Sequence, residues 1–384
     1  MLNHISNSVD HHARVPFSYD DEQQAFISSV TDVFTRHCTM AYVRAVGSGE
    51  ASWEDLWRRL VDMGLLTLLV PESLGGLGRS TVDLVAILEA AGHFAAPVPL
   101  SMTMGAFTPM VVAVAGDAER RHDVIEQVLA GVPCTIAPTI ACAQPAVGHR
   151  ATIAGGRLTA RCEVVPEAGR ARLIALPATR QEDKRAVLVV GSPQDLGVHI
   201  QPAMDPTSTI GVLDVAARDI GDSVILEGDP RPALPVAWIA AAAELVGIAA
   251  ELLDRSVDHA RSRVQFGRPI GSFQAVKHRL VDILLLIERA RSLTRYAALA
   301  VRDGREDAVR AAHRAKAASS EAGSAAARAA VQVHGGVGIT AEHDVSLLYL
   351  RARQLSMTLG GPDDHYACAC SGSPDRGDTA AGTG

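Results

Sequence analysis

The sequence predicts an α+β protein with an N-terminal helical domain, a middle antiparallel β-barrel and a C-terminal four-helix bundle. Apolar residues recur at three- and four-residue spacing before residue 130 and after residue 235, which is the period of amphipathic helices. Between these regions lie short β-branched runs separated by Gly, Pro and Asp, a pattern that favours a small antiparallel barrel or sandwich. An alanine-dense segment, residues 311–333, has the small side chains that let bundled helices approach closely.

The predicted boundaries divide the 384 residues into five parts. They are a flexible N-terminal arm (1–19), a helical domain (20–130), a β domain (131–235), a helical bundle (236–370) and a disordered tail (371–384). The tail is rich in Gly, Ser, Asp and Thr, a composition that buries too little apolar surface to fold. The arm holds His11 and His12, but it has neither the basic nor the apolar region of a signal peptide. A solvated arm is expected there, and not a metal site.

Individual elements follow from local signals. In the first domain, Ser52 to Asp55 have the form of an N-terminal capping box, and Met63-Gly64 ends that helix. A glycine-rich loop at residues 72–78 precedes a helix predicted over 80–91. The β-type runs of the middle domain are residues 134–136, 156–159, 172–176, 186–190 and 211–213. In the last domain, residues 283–299 and 311–333 predict helices, and the charged run 302–316 predicts a solvated helix face.

Composition excludes several classes of function. The net charge of -7 and the pI near 6.1 argue against nucleic-acid binding, which depends on clustered positive charge. Six cysteines show neither a Cys-x-x-Cys pair nor zinc spacing, so reduced thiols, a cytoplasmic location and no metal are expected. The longest apolar stretch, residues 235–250, is interrupted by Glu244 and Gly247 and falls short of the ~20 residues that cross a membrane.

Two segments about seventy residues apart carry chemistry suited to a nucleotide: Arg263-Val-Gln-Phe-Gly and Gln332-Val-His-Gly-Gly. An arginine offers a charged fork for a pyrophosphate, a phenylalanine ring offers a flat face, and glutamine amides both donate and accept hydrogen bonds. Paired glycines let a backbone approach a ligand closely. Singly, each residue has an ordinary alternative, such as a helix stop at the glycine pair; together they favour nucleotide binding. The predicted cofactor-binding residues are Arg263, Phe266, Gln274, Gln332, Gly335 and Gly336.

These segments resemble the flavin-adenine contact surface of the acyl-CoA dehydrogenase family. The helix that ends in Met63-Gly-Leu, followed by Pro-Glu and Gly-Gly-x-Gly, is also similar to the family's N-terminal domain. The resemblance spans roughly residues 20–367. It implies FAD as the cofactor, an acyl-CoA or related thioester as the substrate, α,β-desaturation as the reaction and a homo- or hetero-oligomer with another acyl-CoA dehydrogenase subunit.

The resemblance also implies a glutamate that removes the α-proton of the thioester. In the family this base commonly stands in a Glu-Gly-Thr motif, and counting from Arg351 places it at Gly360. Some branches carry it on the first helix of the bundle, where this chain has Ala237. Both usual positions thus lack a carboxylate. Glu244 and Glu342 are alternative candidates for the base, although ion pairing or helix capping is the expected role of each.

The middle domain departs from the family as well. The Thr-Glu-Pro, Gly-Ser-Asp and Trp-Ile-Ser/Thr motifs that hold the flavin ring are absent from residues 135–149 and 163–167. Within a family dimer, one chain presents those motifs and its mate presents the adenine contacts; this chain keeps the mate's set. Heteromeric acyl-CoA dehydrogenases of actinobacterial steroid degradation look like this, and residues 89–97, Glu-Ala-Ala-Gly-His-Phe-Ala-Ala-Pro, are similar to theirs.

Three hypotheses stay open at this point. The chain is an acyl-CoA dehydrogenase, acting alone with an unrecognised base or as a degenerate subunit that helps a partner bind FAD. Alternatively, the same scaffold has been repurposed for non-redox chemistry on an acyl thioester or a natural-product intermediate. A purely structural scaffold is the weakest hypothesis, because all the predicted nucleotide contacts are retained.

Overall fold

The computed structural model describes residues 19–114, 116, 118–139 and 151–371. Almost all of the predicted N-terminal arm and C-terminal tail lie outside the described residues, as do His11 and His12. Part of the 135–149 stretch, from which the flavin-ring motifs are absent, lies outside them too.

The N-terminal domain is helical, as predicted. Its helices are α1 (Asp21–His37), α2 (Met40–Ser48), α3 (Glu54–Asp62), α4 (Thr81–His93), α5 (Thr108–Ala113) and α6 (Ala118–Leu129), and a π-helical segment, Ser101–Phe107, leads into α5. Ser80 caps α4 in a capping box with Asp83, whose carboxylate accepts the Ser80 amide at 3.0 Å. The box predicted at Ser52 does not form, because the Ser52 hydroxyl instead accepts the Glu54 amide at 3.1 Å in a local turn.

The middle domain is a mixed sheet and not the closed antiparallel barrel that the sequence predicted. Its strands are β1 (Cys134–Ile136), β2 (Ala151–Ala154), β3 (Arg157–Pro166), β4 (Leu173–Arg180), β5 (Ala186–Gly191), β6 (Val198–Gln201), β7 (Ile210–Asp219) and β8 (Val224–Glu227), with a short helix α7 (Pro193–Leu196) before β6. The strand order is β6-β7-β3-β2-β4-β5-β8, and β1 also pairs with β4.

Two parallel pairings explain the error in the predicted barrel. β4 runs parallel to both β1 and β2, with Thr152 opposite Thr179. Among the described strands, β6 and β8 end the order without pairing with each other. Turn signals in the sequence mark where strands stop, but long-range packing decides which strands pair. The predicted β-type runs therefore correspond to strands, whereas the pairing of those strands was not predicted.

The C-terminal domain is helical, as predicted. Its elements are α8 (Leu234–Ser262), a hairpin of β9 (Val264–Gln265) and β10 (Arg268–Pro269), α9 (Gln274–Arg302), α10 (Ala308–His334), α11 (Asp344–Met357) and α12 (Pro362–Cys370). The long helices α8, α9 and α10 pack against one another, and α11 and α12 pack on α10. The assignment as a four-helix bundle stays a prediction.

The apolar helix α8 is the spine of the core. By length and composition the helical segment 231–262 could cross a membrane, but its most apolar window, with a mean hydropathy of 1.8, is 89% buried inside the protein. It packs against α4 of the N-terminal domain as well as against α9 and α10. The two helical domains therefore share one hydrophobic core, while the sheet has a smaller core of its own.

Two glycines let α4 and α8 cross in backbone contact. A Cβ atom on Gly92 would collide with the carbonyl oxygen of Glu244, and one on Gly247 would collide with the carbonyl oxygen of Glu89. Only glycine fits at such a crossing. The segment 89–97 is thereby fixed against the C-terminal domain.

The charged run 302–316 is only partly a solvated face. Arg302 and the residues immediately after it are exposed, but His313 and Lys316 are buried. The prediction was wrong for the second half of the run, because α10 turns that face towards α8 and α12.

Candidate functional site

The residues predicted to bind a dinucleotide lie around one exposed corner of the C-terminal domain. We define this corner as residues 259–274 and 332–336. Arg263 directly follows α8, Gln274 begins α9, and Gln332 lies in the last turn of α10. Gly335 and Gly336 begin the short 3-10 turn after α10.

Neighbouring histidine rings join the two segments of the corner. His259 lies one helical turn before Arg263, and its ring centroid is 4.2 Å from that of His334, the residue before Gly335. The ring of His343 is 5.0 Å from that of His334. Burial lowers the pKa of His259, with Arg263 and His343 adding to the effect, and burial also lowers the pKa of His334. Both rings are therefore uncharged at neutral pH. Sequence reasoning missed these histidines, although their places beside Arg263 and Gly335 were a signal.

A two-residue turn displays Phe266 at the edge of the corner. The turn joins β9 to β10, and Phe266 and Gly267 have φ values of 53° and 77°. Such left-handed values suit a type I′ hairpin turn but strain a bulky side chain. The Phe266 side chain is 91% exposed and meets Phe273 edge-on at 6.1 Å between centroids. An exposed aromatic ring on a strained backbone is typical of a contact surface.

Three of the predicted cofactor-binding side chains have no polar partner within the described part of the chain. Within the described ranges, the side chains of Arg263, Gln274 and Gln332 are exposed and form no hydrogen bond or ion pair. A Cβ atom added at Gly335 or Gly336 would meet nothing within 4 Å. The corner therefore presents a guanidinium, two amides and an open stretch of backbone to whatever binds there.

These groups fit the nucleotide end of FAD. A free guanidinium matches a pyrophosphate, because charge-assisted hydrogen bonds to phosphate oxygens are strong and directional. Free amides can meet both the donors and the acceptors of an adenine edge, and a bare glycine backbone admits close approach. The chemistry of the donor set thus agrees with the predicted cofactor.

The two usual positions of the base are closed to a carboxylate. Ala237 is fully buried inside α8. Gly360 lies between α11 and α12 with φ 107°, and the preceding Leu359 has φ 61°. Side chains beyond glycine are rarely found at such values, so a glutamate at position 360 would strain the turn.

The two alternative candidates are placed very differently. The Glu244 carboxylate is buried and accepts a hydrogen bond from Arg351 Nη2 at 2.8 Å. This geometry supports the ion-pairing role expected for it. Glu342 is exposed in the turn before α11, next to His343, whose ring lies near that of His334.

Arg351 ties the three domains together in the interior. Its Nη2 also donates to the carbonyl of Ala96 at 2.7 Å, and its Nη1 donates to Thr207 Oγ1 at 3.0 Å and lies 3.5 Å from the Asp205 carboxylate. Burial opposes the charge of Arg351, but the carboxylates of Glu244 and Asp205 outweigh it and raise the arginine pKa. The network is structural in form, because each charged group in it has partners.

Two buried hydroxyls of the middle domain are occupied within the protein. Thr135 Oγ1 donates to the carbonyl of Pro166 at 2.6 Å, and Thr139 Oγ1 donates to the carbonyl of Pro177 at 2.6 Å. They lie in the stretch where the resemblance places the flavin-ring contacts. Neither hydroxyl proton is therefore available to a ligand.

A separate group of side chains has the spacing of a metal site. The ligand atoms of His93, Glu251 and Asp254 all lie within 4.8 Å of one another. Arg255 Nε donates to Glu251 at 2.6 Å, so this carboxylate already serves an ion pair. The arrangement carries no metal assignment.

Comparison with known proteins identifies the scaffold. Residues 20–132 match the model of the acyl-CoA dehydrogenase N-terminal domain, and residues 233–365 match that of the C-terminal domain. The chain is 31% identical over 352 residues to acyl-CoA dehydrogenase FadE27 of Mycobacterium tuberculosis, covering 84% of this chain and 89% of that protein.

Two solved structures are similar over nearly the whole chain. The ChsE4-ChsE5 complex of Mycobacterium tuberculosis contains a chain with a TM-score of 0.80 and 28% identity, covering 91% of this chain and 96% of that one. The Tcur3481-Tcur3483 steroid ACAD gives a TM-score of 0.78 and 28% identity, covering 90% of this chain and 96% of that one. The matching domains, the relatives and the fold together show that this chain belongs to the acyl-CoA dehydrogenase family.

Proposed function

We propose that this chain is a degenerate subunit of an acyl-CoA dehydrogenase assembly. It contributes adenine and pyrophosphate contacts to an FAD whose isoalloxazine ring is held by a second, catalytically complete subunit. One observation carries the proposal: the corner holds the unpaired groups of Arg263, Gln274 and Gln332, whereas Gly360 and Ala237 stand where a base is expected.

The division of roles follows from the chemistry. When bound, FAD supplies the hydride acceptor for desaturation of an acyl-CoA thioester. Removal of the α-proton needs a positioned carboxylate, and in the proposed assembly this group comes from the partner. Arg263 neutralises part of the pyrophosphate charge, while Phe266 covers one face of the nucleotide and excludes water from it.

Similarity to two-component proteins supports a heteromeric partner. ChsE4-ChsE5 is a complex of two differently named chains, and the steroid ACAD Tcur3481-Tcur3483 likewise carries the names of two chains. By analogy, we propose a partner from the same family and an acyl-CoA substrate. The exposed position of the corner makes its donors accessible to a neighbouring subunit.

Absorbance of the purified protein tests the proposal. The chain is purified alone and after co-expression with a family member that carries a glutamate base, and spectra are recorded across the visible absorption band of oxidised flavin. Flavin absorbance in the complex and not in the isolated chain is the expected result.

Other outcomes contradict it in distinct ways. A yellow isolated chain that oxidises a thioester would show that it holds the complete flavin site. A stable complex that stays colourless would favour the alternative hypothesis of non-redox chemistry on an acyl thioester or a natural-product intermediate.

A further inference from the structure

A polar cluster is enclosed in the C-terminal domain and takes no part in the nucleotide contacts. We define it as His313 and Lys316 of α10 and His365 of α12, covered by Trp238 of α8. We propose that these three polar residues are positioning residues, which hold the turn 358–361 in a left-handed conformation that excludes a carboxylate from position 360. The functional meaning of this turn rests on the proposed function, whereas the restraint itself is a property of this chain.

Lys316 holds the turn through main-chain carbonyls. Its side chain is fully buried, and its ammonium group donates to the carbonyl of Gly360 at 3.1 Å and to that of Ser356 at 3.1 Å. A further hydrogen bond of 2.9 Å goes to Ser320 Oγ, which itself donates to the Ser356 carbonyl at 3.0 Å. A buried ammonium must satisfy its donors, so these carbonyls are held firmly.

The histidine pair holds the preceding residue of the turn. His365 Nε2 is 3.0 Å from the carbonyl oxygen of Leu359, which can only accept, so Nε2 carries the proton. His365 Nδ1 is then an acceptor, and His313 Nδ1, at 2.8 Å, must donate to it. Trp238 stacks on the His313 ring at 4.1 Å and meets the His365 ring edge-on at 5.5 Å, which fixes both planes.

The turn needs such a restraint because its backbone is strained. Leu359 has φ 61° and Gly360 has φ 107°. A leucine in the left-handed region is strained, because its Cβ atom crowds the following carbonyl oxygen, so surrounding contacts must compensate. The two carbonyls fixed by Lys316 and His365 are those of the two residues with positive φ.

The restraint has a consequence for the chemistry of the site. Lys316 donates a hydrogen bond to the carbonyl of Gly360. We therefore expect that the turn cannot change to an extended or helical conformation without breaking this hydrogen bond. A glutamate placed at 360 would therefore either strain the turn or open the cluster. Two features therefore exclude a base at this position: the glycine at 360 and the packing of the cluster beneath the turn.

Hydrogen exchange of the full-length chain tests the restraint without flavin or partner. Exchange of the 357–365 amides is measured by mass spectrometry in the wild type, Lys316→Met and His365→Leu. We expect exchange there to be at least about tenfold faster in both variants, since each loses a buried hydrogen bond to the turn. His365→Gln keeps a donor near the Nε2 position and should restore most of the protection.

A destabilised control separates local from global effects. Leu60→Ala removes a buried side chain of α3, in the N-terminal domain, and lowers stability without touching the cluster. Faster exchange across the whole chain in Lys316→Met and His365→Leu, matching that of Leu60→Ala, would overturn the proposal. So would unchanged exchange at 357–365.

Nitrogen-15 NMR of the histidine rings provides a second readout. At neutral pH we expect an Nε2-protonated ring for His365 and an Nδ1-protonated ring for His313; the opposite tautomers would contradict the restraint on Leu359. These measurements are independent of flavin binding. A restrained turn together with a colourless complex would therefore refute the proposed function and leave this inference standing.

Discussion

The exposed corner and the buried interior of the C-terminal domain each contain an arginine, and the two arginines differ in whether the folded chain pairs their charge. At the corner, Arg263 carries a positive charge that the described part of the chain does not pair. In the interior, Arg351 binds Glu244, Thr207 and a main-chain carbonyl. Both guanidiniums lie in one helical domain, yet only that of Arg351 forms hydrogen bonds within the described part of the chain.

This difference distinguishes residues that stabilise the fold from residues of the proposed binding surface. Buried charges must be paired, because an isolated ion away from water costs several kcal/mol. An exposed and unpaired arginine adds little to folding, so its presence beside a strained aromatic turn is better explained by something outside the chain. Equivalent substitutions at the two sites should therefore separate stability from binding.

The largest expected effect is on the interior arginine. Arg351→Met should lower the free energy of unfolding by about 3–5 kcal/mol, since it leaves the carboxylates of Glu244 and Asp205 buried without their partner. Urea denaturation followed by circular dichroism measures the change. Arg261→Met is the matched control, because Arg261 is 78% exposed in its pair with Asp258 and should alter stability by less than about 0.5 kcal/mol. Similar losses in the two variants would contradict the prediction.

The next effect is a pH dependence of stability. Burial lowers the pKa of His313 to about 4; burial, then Lys316 and His313, lower that of His365 to about 3. Below pH ~6.5 these two histidines bind protons in the unfolded chain but stay unprotonated in the folded protein. The free energy of unfolding therefore falls as the pH drops towards 4. Two histidines contribute up to about 2.7 kcal/mol per pH unit.

The double variant His313→Asn, His365→Gln isolates this contribution. Its unfolding free energy, measured by urea denaturation at pH 7, 6 and 5, should depend less steeply on pH than that of the wild type, with a difference in slope that grows to about two protons near pH 5. Equal slopes would mean that the two rings titrate normally in the folded protein.

A smaller energetic effect is expected at the corner, on binding alone. Arg263→Met should leave unfolding unchanged within about 0.5 kcal/mol, because the lost side chain is exposed and unpaired. In the co-expressed complex it should weaken FAD retention by roughly 10- to 100-fold, the worth of a charge-assisted hydrogen bond. Fluorescence of flavin released during gel filtration measures the retention, with Arg36→Met as the control, because Arg36 is an exposed arginine of α1 and lies outside the corner. Full retention would count against the assignment of the site.

The smallest expected effect has the opposite sign. Phe266→Asn should raise the unfolding free energy by about 0.5–1 kcal/mol, because asparagine tolerates a left-handed backbone better than phenylalanine does. The same variant should retain less FAD in the complex. Thermal unfolding of the isolated chain and flavin content of the complex measure the two effects, and a loss of stability would show that the Phe266 ring packs more than its 91% exposure indicates.

The sequence predicted helices and motifs better than it predicted pairing. The helix predicted over residues 80–91 is present as α4, which a capping box of Ser80 and Asp83 begins, although the box predicted at Ser52 does not form. The parallel pairing of β2 with β4 was not predictable, since Thr152 and Thr179 meet only through the packing of the whole sheet. The predicted barrel failed for that reason, while the order of helical, β and helical domains was correct.

The predicted cofactor-binding residues and the interior residues show the same limit. Arg263 and Gln332 could be singled out because their chemistry is unusual in short, recognisable segments. Lys316 was instead assigned to a solvated face, because a charged residue among alanines carries no sign of what lies opposite it. His313 and His365 are 52 residues apart in the sequence. Only the packing of α10 against α12 shows that their rings are joined by a hydrogen bond.

The left-handed turn at Leu359–Gly360 also limits how this chain could acquire a base of its own. A carboxylate introduced at position 360 would meet a backbone shaped against it, so the packing underneath would have to change as well. In the proposed assembly, a single substitution would therefore not replace the carboxylate that the partner supplies.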